Sequence, residues 1–314
     1  MNIIFMGTPD FSVPCLRELI NAGENIRAVF TQPDKPKGRG YKLTPPPVKE
    51  FALQYDIPVY QPLSMKKGKD AEMAMQVIRD INPDLIVVVA YGKILPKTIL
   101  DMPKYGCINV HASLLPKLRG SSPIQSCILT GETVTGVTTM QMAEGIDTGD
   151  MLMKTELDIG ENETASELHD RLSEAGAKLI VETVNAVKQN ALTPIKQDDS
   201  ISTHCGMITK DMCVIDFSRP AREIHNQIRG LSASPCAYVF LDGKKIKLYR
   251  SELVSGCGGK PGTVAFDNDF VIVCGDGNGV RITELQPEGG KRMNTDAYLN
   301  GRKICKGAEM TYDS

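Results

Sequence analysis

Apolar and polar positions along the first half of the chain fall into a strand-then-helix rhythm. NIIFM at 2 to 6 reads as a strand, a helical pattern follows near 10 to 22, and IRAVFT at 26 to 31 reads as a second strand. A helix near 47 to 55, the short strand PVY at 58 to 60 and a helix near 70 to 80 continue the series. DLIVVVAY at 84 to 91 is a continuous apolar run stopped by Gly92, the pattern of a strand buried on both faces. After a short helix, CINV at 107 to 110 is the next strand. This alternation predicts a doubly wound α/β domain on a parallel sheet.

The period then changes. GVTTMQM at 136 to 142 and MLMKTEL at 151 to 157 read as an antiparallel hairpin, and a helical pattern from about 164 to 189 closes the domain. Periodicity is lost over 190 to 207, where Pro, Ser and Asp accumulate, so the linker is placed there. Beyond it come short strands with tight turns. CAYVFL and KKIKLYR flank Asp242-Gly243, a strong hairpin signal, and FVIVC and VRITEL are joined by DGNG. One helix near 220 to 231 interrupts this series. The division expected is 1 to 189, a linker at 190 to 207, and a smaller β-barrel-like domain at 208 to 314.

Composition narrows the function classes. A chain of 314 residues supports two cores, and 41% hydrophobic residues with a net charge of −2 point to neither a membrane span nor a wholly basic nucleic-acid binder. Any polyanion has to be met by local basic patches. Nine cysteines occur without a CxxC pair, which disfavours a zinc site or a disulfide framework and suits buried thiols in a reducing cytosol. The opening MNIIFMG is already strand-like, with no targeting signature.

Ligands of doubly wound sheets bind at strand carboxyl ends. Gly7 to Asp10 and Asn109 to Leu115 both fall there. The first, GTPD, lacks GxGxxG and has no following Lys-Ser or Lys-Thr, so a dinucleotide or NTP site is disfavoured and Asp10 can equally be a helix cap. The second is richer. Asn109 and His111 are two apart, so on a strand they share a face and can both donate to an oxygen that gains charge in acyl transfer. Asp147, in the GIDTGD turn, can support the imidazolium or can simply be a turn residue. Pro116, Arg119, Gly120 and Pro123 stiffen a loop able to meet a flat heterocycle. QPDKPKGRGYKLTPPP at 32 to 47 is too rich in Gly and Pro to pack, and its Lys35, Lys37, Arg39 and Lys42 attract phosphates or remain solvated. Arg222, His225 and Arg229 recur at helical spacing, with Lys244, Lys245 and Lys247 nearby, as a weak nucleic-acid footprint or a solvated face.

With FMGTPDF at 5 to 11, TQPDKPKGRG at 31 to 40, VVVAYGKILP at 87 to 96, GCINVHASLLPKLRGSSPIQ at 106 to 125 and GVTTMQMAEGIDTGDML at 136 to 152, the chain resembles the methionyl-tRNA formyltransferases across both domains. The resemblance implies a Rossmann-like formyltransferase domain that binds 10-formyltetrahydrofolate with Ser113, Leu114, Leu115 and Pro116 on the folate loop. It implies Asn109, His111 and Asp147 as catalytic residues, and an OB-like C-terminal barrel that holds tRNA. Arg39, with Lys35, Lys37 and Lys42, would face initiator methionyl-tRNA. No metal is implied, and the expectation is a monomeric cytoplasmic enzyme without membrane attachment. Rival readings are a folate-dependent formyltransferase acting on a sugar nucleotide or purine intermediate, a formyltetrahydrofolate hydrolase, or a non-catalytic tRNA-binding protein. The sequence departs from the family pattern at Leu118, where an aromatic residue is common, in the absence of tryptophan, in the loose THCGMITKDMCVIDF segment and in the tail GRKICKGAEMTYDS.

Overall fold

Ile3, Ile4, Phe5 and Met6 are all fully buried, so strand β1 (Asn2–Gly7) needs cover on both faces, and it lies inside a seven-stranded sheet. The structure is a computed structural model and describes residues 1–37 and 41–312. After β1 come α1 (Val13–Asn21), β2 (Asn25–Phe30), β3 (Lys35–Lys37), β4 (Lys42–Thr44), α2 (Pro47–Leu53), β5 (Val59–Tyr60) and α3 (Lys69–Ile81). They are followed by β6 (Leu85–Val89), α4 (Lys97–Leu100), β7 (Cys107–His111), β8 (Arg119–Gly120), α5 (Pro123–Leu129), β9 (Val134–Gln141), β10 (Met151–Asp158) and α6 (Ala165–Lys188).

The chain forms two compact units, of which the first comprises 1–120, 136–157 and 169–204. Its sheet runs β10-β9-β7-β6-β1-β2-β5. β1, β2, β5, β6 and β7 are parallel, and β9 turns antiparallel to β7. Strand order reverses between β1 and β6, which sets the ligand edge at the carboxyl ends of β1, β6 and β7. Gly7 is required at that crossing: a Cβ there would lie 2.9 Å from Ser12 Cβ and 3.1 Å from the Val89 carbonyl. On one face, Ile4, Met6, Phe30, Ile86 and Val88 pack with Ala74 and Ile78 of α3 and with Ile99 and Leu100 of α4. Helix α3 buries Ala71, Ala74 and Ile78, one stripe of a 3.6-residue repeat, and ends on Asn82 in the left-handed conformation. Helix α6 is tied to β9 by a buried Thr139–Thr183 hydroxyl pair at 2.9 Å.

The elements follow the hydrophobic pattern, with two informative differences. The strand at 84 to 91 stops at Val89 because Ala90 (φ 45°) and Gly92 (φ 77°) turn left-handed. The basic segment does acquire structure. β3 and β4 pair antiparallel, Lys35 with Thr44 and Lys37 with Lys42, and Asp34 at the base accepts from Lys49 at 2.8 Å and from Gln61. The Lys49 ammonium and Gln61 amide hold the Asp34 carboxyl below its ordinary range. Backbone pairing needs no apolar side chains, which is why composition alone misses it.

The second unit comprises 121–135, 158–168 and 205–314. Beyond β11 (His204–Cys205) it contains α7 (Ala221–Leu231), β12 (Ala237–Leu241), β13 (Lys244–Val254), β14 (Val264–Phe266), β15 (Asp269–Val273), β16 (Gly279–Pro287), β17 (Met293–Asn294), α8 (Thr295–Leu299) and β18 (Met310–Thr311). The strands make a curled antiparallel sheet, ordered β14-β15-β16-β13-β12-β18, of the OB-like half-barrel kind. Ile224, Ile228 and Leu231 of α7 enter its core with Val239, Ile246, Leu248, Phe270, Ile272 and Ile282. Asp242 (φ 52°) and Gly243 (φ 70°) form the tight hairpin turn that their sequence predicts.

Within this unit His225 is 0% and Arg229 5% exposed. His225 bonds Ser251 Oγ and the Glu161 carbonyl, while Arg229 donates to the carbonyls of Gly160 and Glu163. Burial pushes the His225 pKa down. The helical Arg222, His225, Arg229 spacing is therefore a clamp on the 160–163 backbone and not a nucleic-acid face, since two of the three side chains never reach solvent.

Candidate active site

β7 ends at the sheet's ligand edge, and its register sets Asn109 against Val88 and Met140, and His111 against Thr138. Both side chains project from the same face of the strand. His111 is buried and Asn109 half-buried. The His111 ring is anchored through one nitrogen and faces a carboxylate with the other. Nε2 lies 2.9 Å from the Leu118 carbonyl, and Nδ1 lies 3.6 Å from Asp147 Oδ2. Nε2 is thus taken up by the Leu118 carbonyl, while Nδ1 lies beyond hydrogen-bond length of Asp147 and can still serve a ligand. Leu118 reaches this position with φ 57°, unusual for a γ-branched residue, and that turn aims its carbonyl at the imidazole.

Asp147 also adopts a left-handed conformation, φ 52°, in the loop between β9 and β10. Its Oδ2 accepts the Gly120 N–H at 2.8 Å, which fixes the carboxylate beside His111. Two residues on, Gly149 allows the loop to close: a Cβ there would sit 1.7 Å from the Gln141 carbonyl. The Asn109 amide makes no hydrogen bond with any described residue, so its N–H groups are free to meet a ligand. Asn109, His111 and Asp147 are thus brought together, with a fixed carboxylate, an oriented imidazole and an uncommitted amide at one strand end. Such a cluster can donate to an oxygen that accumulates negative charge and can move a proton beside it.

Residues 113–116 line the same edge, although most of their side chains serve the loop itself. Ser113 Oγ donates to the Lys117 carbonyl at 2.7 Å, Leu115 packs with Met140 and Met151, and Pro116 is buried. Leu114 is half-buried. Thr138 Oγ1 donates to the Ser113 carbonyl at 2.7 Å and accepts the Leu115 N–H at 3.2 Å. Lys154 Nζ donates to the Leu115 carbonyl, and its burial lowers its pKa. The loop therefore offers a ligand Leu114 and backbone groups. Among the basic residues, Lys35 and Lys42 are exposed on the β3–β4 pair, beside Tyr41 at 80% and Leu43 at 63% exposure. Lys37 lies on β3, and Arg39 falls outside the described residues.

Sequence reasoning missed Thr138, Lys154, Gln197 and Thr203. Thr203 accepts the Leu118 N–H at 2.8 Å through its hydroxyl and the Arg119 N–H at 2.9 Å through its carbonyl. Gln197 and Thr203 lie in an aperiodic stretch with no local signal, and only the fold shows that they return to the site. The cysteines take no part. Seven are buried, and burial pushes the thiols of Cys15, Cys107 and Cys274 up to about 12, far from a reactive thiolate. Among the described residues no helix is long and apolar enough to cross a membrane.

Family models place this doubly wound sheet and the half-barrel that follows it among the formyl transferases. The formyl transferase family model matches residues 1–184, and the formyl transferase C-terminal domain model matches residues 207–303. Within that class the chain belongs to the methionyl-tRNA formyltransferase family. The methionyl-tRNA formyltransferase of Geobacter metallireducens is 50% identical over 312 residues, covering 99% of this chain and 98% of that protein. The one of Caldanaerobacter subterraneus subsp. tengcongensis is 48% identical over 309 residues, covering 98% and 99%. Among solved structures, the sugar 3N-formyl transferase WlaRD, in the presence of dTDP and 5-N-formyl-THF, matches with a TM-score of 0.67 at 21% identity, covering 90% of this chain and 97% of that one. HypX from Aquifex aeolicus in complex with tetrahydrofolic acid matches with a TM-score of 0.62 at 16% identity, covering 95% and 47%. At these identities the likeness is one of fold.

Proposed function

We propose that the protein transfers the formyl group of 10-formyltetrahydrofolate to the α-amino group of initiator methionyl-tRNA, yielding N-formylmethionyl-tRNA. The observation that carries this reading is the uncommitted Asn109 amide beside a His111 ring whose Nδ1 faces Asp147. The cluster lies in a chain half identical to proteins named for that reaction. The folate supplies an activated formyl carbon on N10. α-Amines titrate near ~8, so the attacking amine is neutral at little cost. Asn109 and the Nδ1–H of His111 donate to the formyl oxygen as it gains charge, and one such donor is worth roughly 10² to 10³ in rate. Asp147 keeps the imidazolium oriented and helps the amine proton towards N10 as the new C–N bond forms and the old one breaks.

The folate lies along Ser113, Leu114, Leu115 and Pro116, met by Leu114 and the loop backbone. Lys35, Lys37, Arg39 and Lys42 contact tRNA phosphates, and the exposed Tyr41 offers a ring on which a base can stack. Along the sequence the catalytic domain is residues 1–189, joined through 190–207 to an OB-like domain, 208–314, that holds the tRNA body, although 121–135 and 158–168 fold into the second compact unit and 190–204 into the first. The enzyme works as a monomer in the cytosol and needs no metal. Sugar-nucleotide and purine acceptors are disfavoured because the relatives at about 50% identity are named for methionyl-tRNA. The test is incubation with methionyl initiator tRNA and 10-formyltetrahydrofolate. Formylmethionyl-tRNA is expected, and formylation seen only on an amino-sugar nucleotide overturns the reading.

A further inference from the structure

The 142–150 loop places Asp147 in a left-handed conformation, φ 52°, and a group that grips this turn comes from far along the chain. Gln197 Nε2 donates one hydrogen to the Asp147 carbonyl at 2.8 Å and the other to the Gly149 carbonyl at 2.7 Å. It straddles the turn. The same side chain accepts, through Oε1, from Arg119 Nε at 2.9 Å. Arg119 is 3% and Gln197 5% exposed, and Arg119 reaches on to Asp199 Oδ1 at 2.8 Å. Arg119 immediately precedes Gly120, whose N–H is the donor that holds the Asp147 carboxylate. One buried amide therefore ties together the turn that carries Asp147 and the strand that supplies its hydrogen-bond donor.

We infer that Gln197, braced by Arg119, is a positioning residue for formyl transfer: it sets the Asp147 carboxylate against His111 without touching either substrate. This rests on the proposed function above. All three polar functions of the Gln197 amide are engaged, so no other residue type of that size can replace it. Glutamate is isosteric but presents an oxygen to two carbonyl oxygens where the amide presented two donors. Leucine fills the space and donates nothing. Because a displacement of about 1 Å at a reacting group costs up to roughly 10²-fold, the effect belongs in turnover and not in substrate affinity.

The experiment measures formylation of methionyl initiator tRNA by the wild type, Gln197→Leu, Gln197→Glu, Asp147→Asn and the Gln197→Leu/Asp147→Asn double variant, with melting temperature and folate affinity for each. Gln197→Leu and Gln197→Glu are expected to lower kcat by about 10- to 100-fold with KM for both substrates within about threefold. In the Asp147→Asn background, Gln197→Leu is expected to add less than about a twofold loss, because the group it positions is already gone. Asp199→Ala, at a side chain 83% exposed, loosens Arg119 without emptying the core and is expected to give a smaller kcat loss of the same kind. Full multiplication of the two losses, or a KM rise that matches the kcat loss, overturns the positioning role even where folding is impaired. If the wild type forms no formylmethionyl-tRNA, it is the functional reading that fails; if the wild type formylates and Asp147→Asn leaves turnover unchanged, the positioning role fails while that reading stands, so the two failures are distinguishable.

Discussion

Replacing Asp147 with asparagine keeps the shape of the site and removes only its charge. The Asn Oδ1 can still accept the Gly120 N–H, which holds the carboxylate at 2.8 Å, so the loop has no reason to move. What disappears is a negative charge 3.6 Å from His111 Nδ1. At an effective dielectric constant of about 20, that pair is worth about 4 to 5 kcal/mol as an upper limit, and partial access of water to Asp147 brings it nearer 2 to 3. The corresponding loss is roughly 30- to 150-fold in kcat, since about 1.4 kcal/mol is a decade. The assay is single-turnover formylation of methionyl-tRNA at saturating folate, paired with a folate binding titration. Folate affinity should change by less than about twofold, because the charge is used while the formyl oxygen develops its own. A variant that keeps turnover within threefold of wild type, or loses binding as much as turnover, refutes this role for Asp147.

Asn109→Ala should cost roughly 10²- to 10³-fold in kcat with little change in melting temperature, since its amide supports no other described residue; a stability loss in place of a kcat loss contradicts it. In the second unit, burial would by itself raise the Glu167 pKa. Arg250 and the Thr164 N–H and hydroxyl outweigh it and bring the carboxyl from 4.5 to about 2. A depressed pKa stabilises the fold above about pH 4.5, and the contribution fades as pH falls towards 2. With the Glu167 side chain 45% exposed, Glu167→Gln should destabilise by about 1 kcal/mol at pH 7 and hardly at all near pH 2, read from denaturant titrations at both pH values. Of the nine cysteines only Cys305 is exposed, so a thiol reagent should label one site quickly in the native protein and the seven buried ones only after unfolding. Mass spectrometry of the labelled peptides checks this.

Much of the fold is legible because its signals are local. The apolar run at 84 to 91, the two-residue spacing of Asn109 and His111, and the Asp242-Gly243 turn each carry their own geometry. The approach of Asp147 to His111 is legible only as a possibility, since nothing in GIDTGD says which way the turn folds. The support around the cluster is not legible at all. Leu118 acts through its carbonyl, Gly120 through its N–H, and Gln197 from 50 residues beyond Asp147, so neither side-chain chemistry nor spacing announces them. The opposite error occurs at His225 and Arg229, where helical spacing suggests a surface and burial makes them a clamp. Polar residues at helical intervals look alike whether they face water or a buried backbone turn.

The central claim is that this site moves a formyl group from folate to the amine of methionyl-tRNA. It is tested most directly by supplying 10-formyltetrahydrofolate labelled in the formyl carbon to a mixture of methionyl initiator tRNA and a dTDP-amino sugar, and following where the label goes. Label is expected on methionyl-tRNA, at a rate that falls by at least about 30-fold in Asp147→Asn, and none on the sugar. Label on the sugar nucleotide, or release as free formate at the wild-type rate, contradicts that claim.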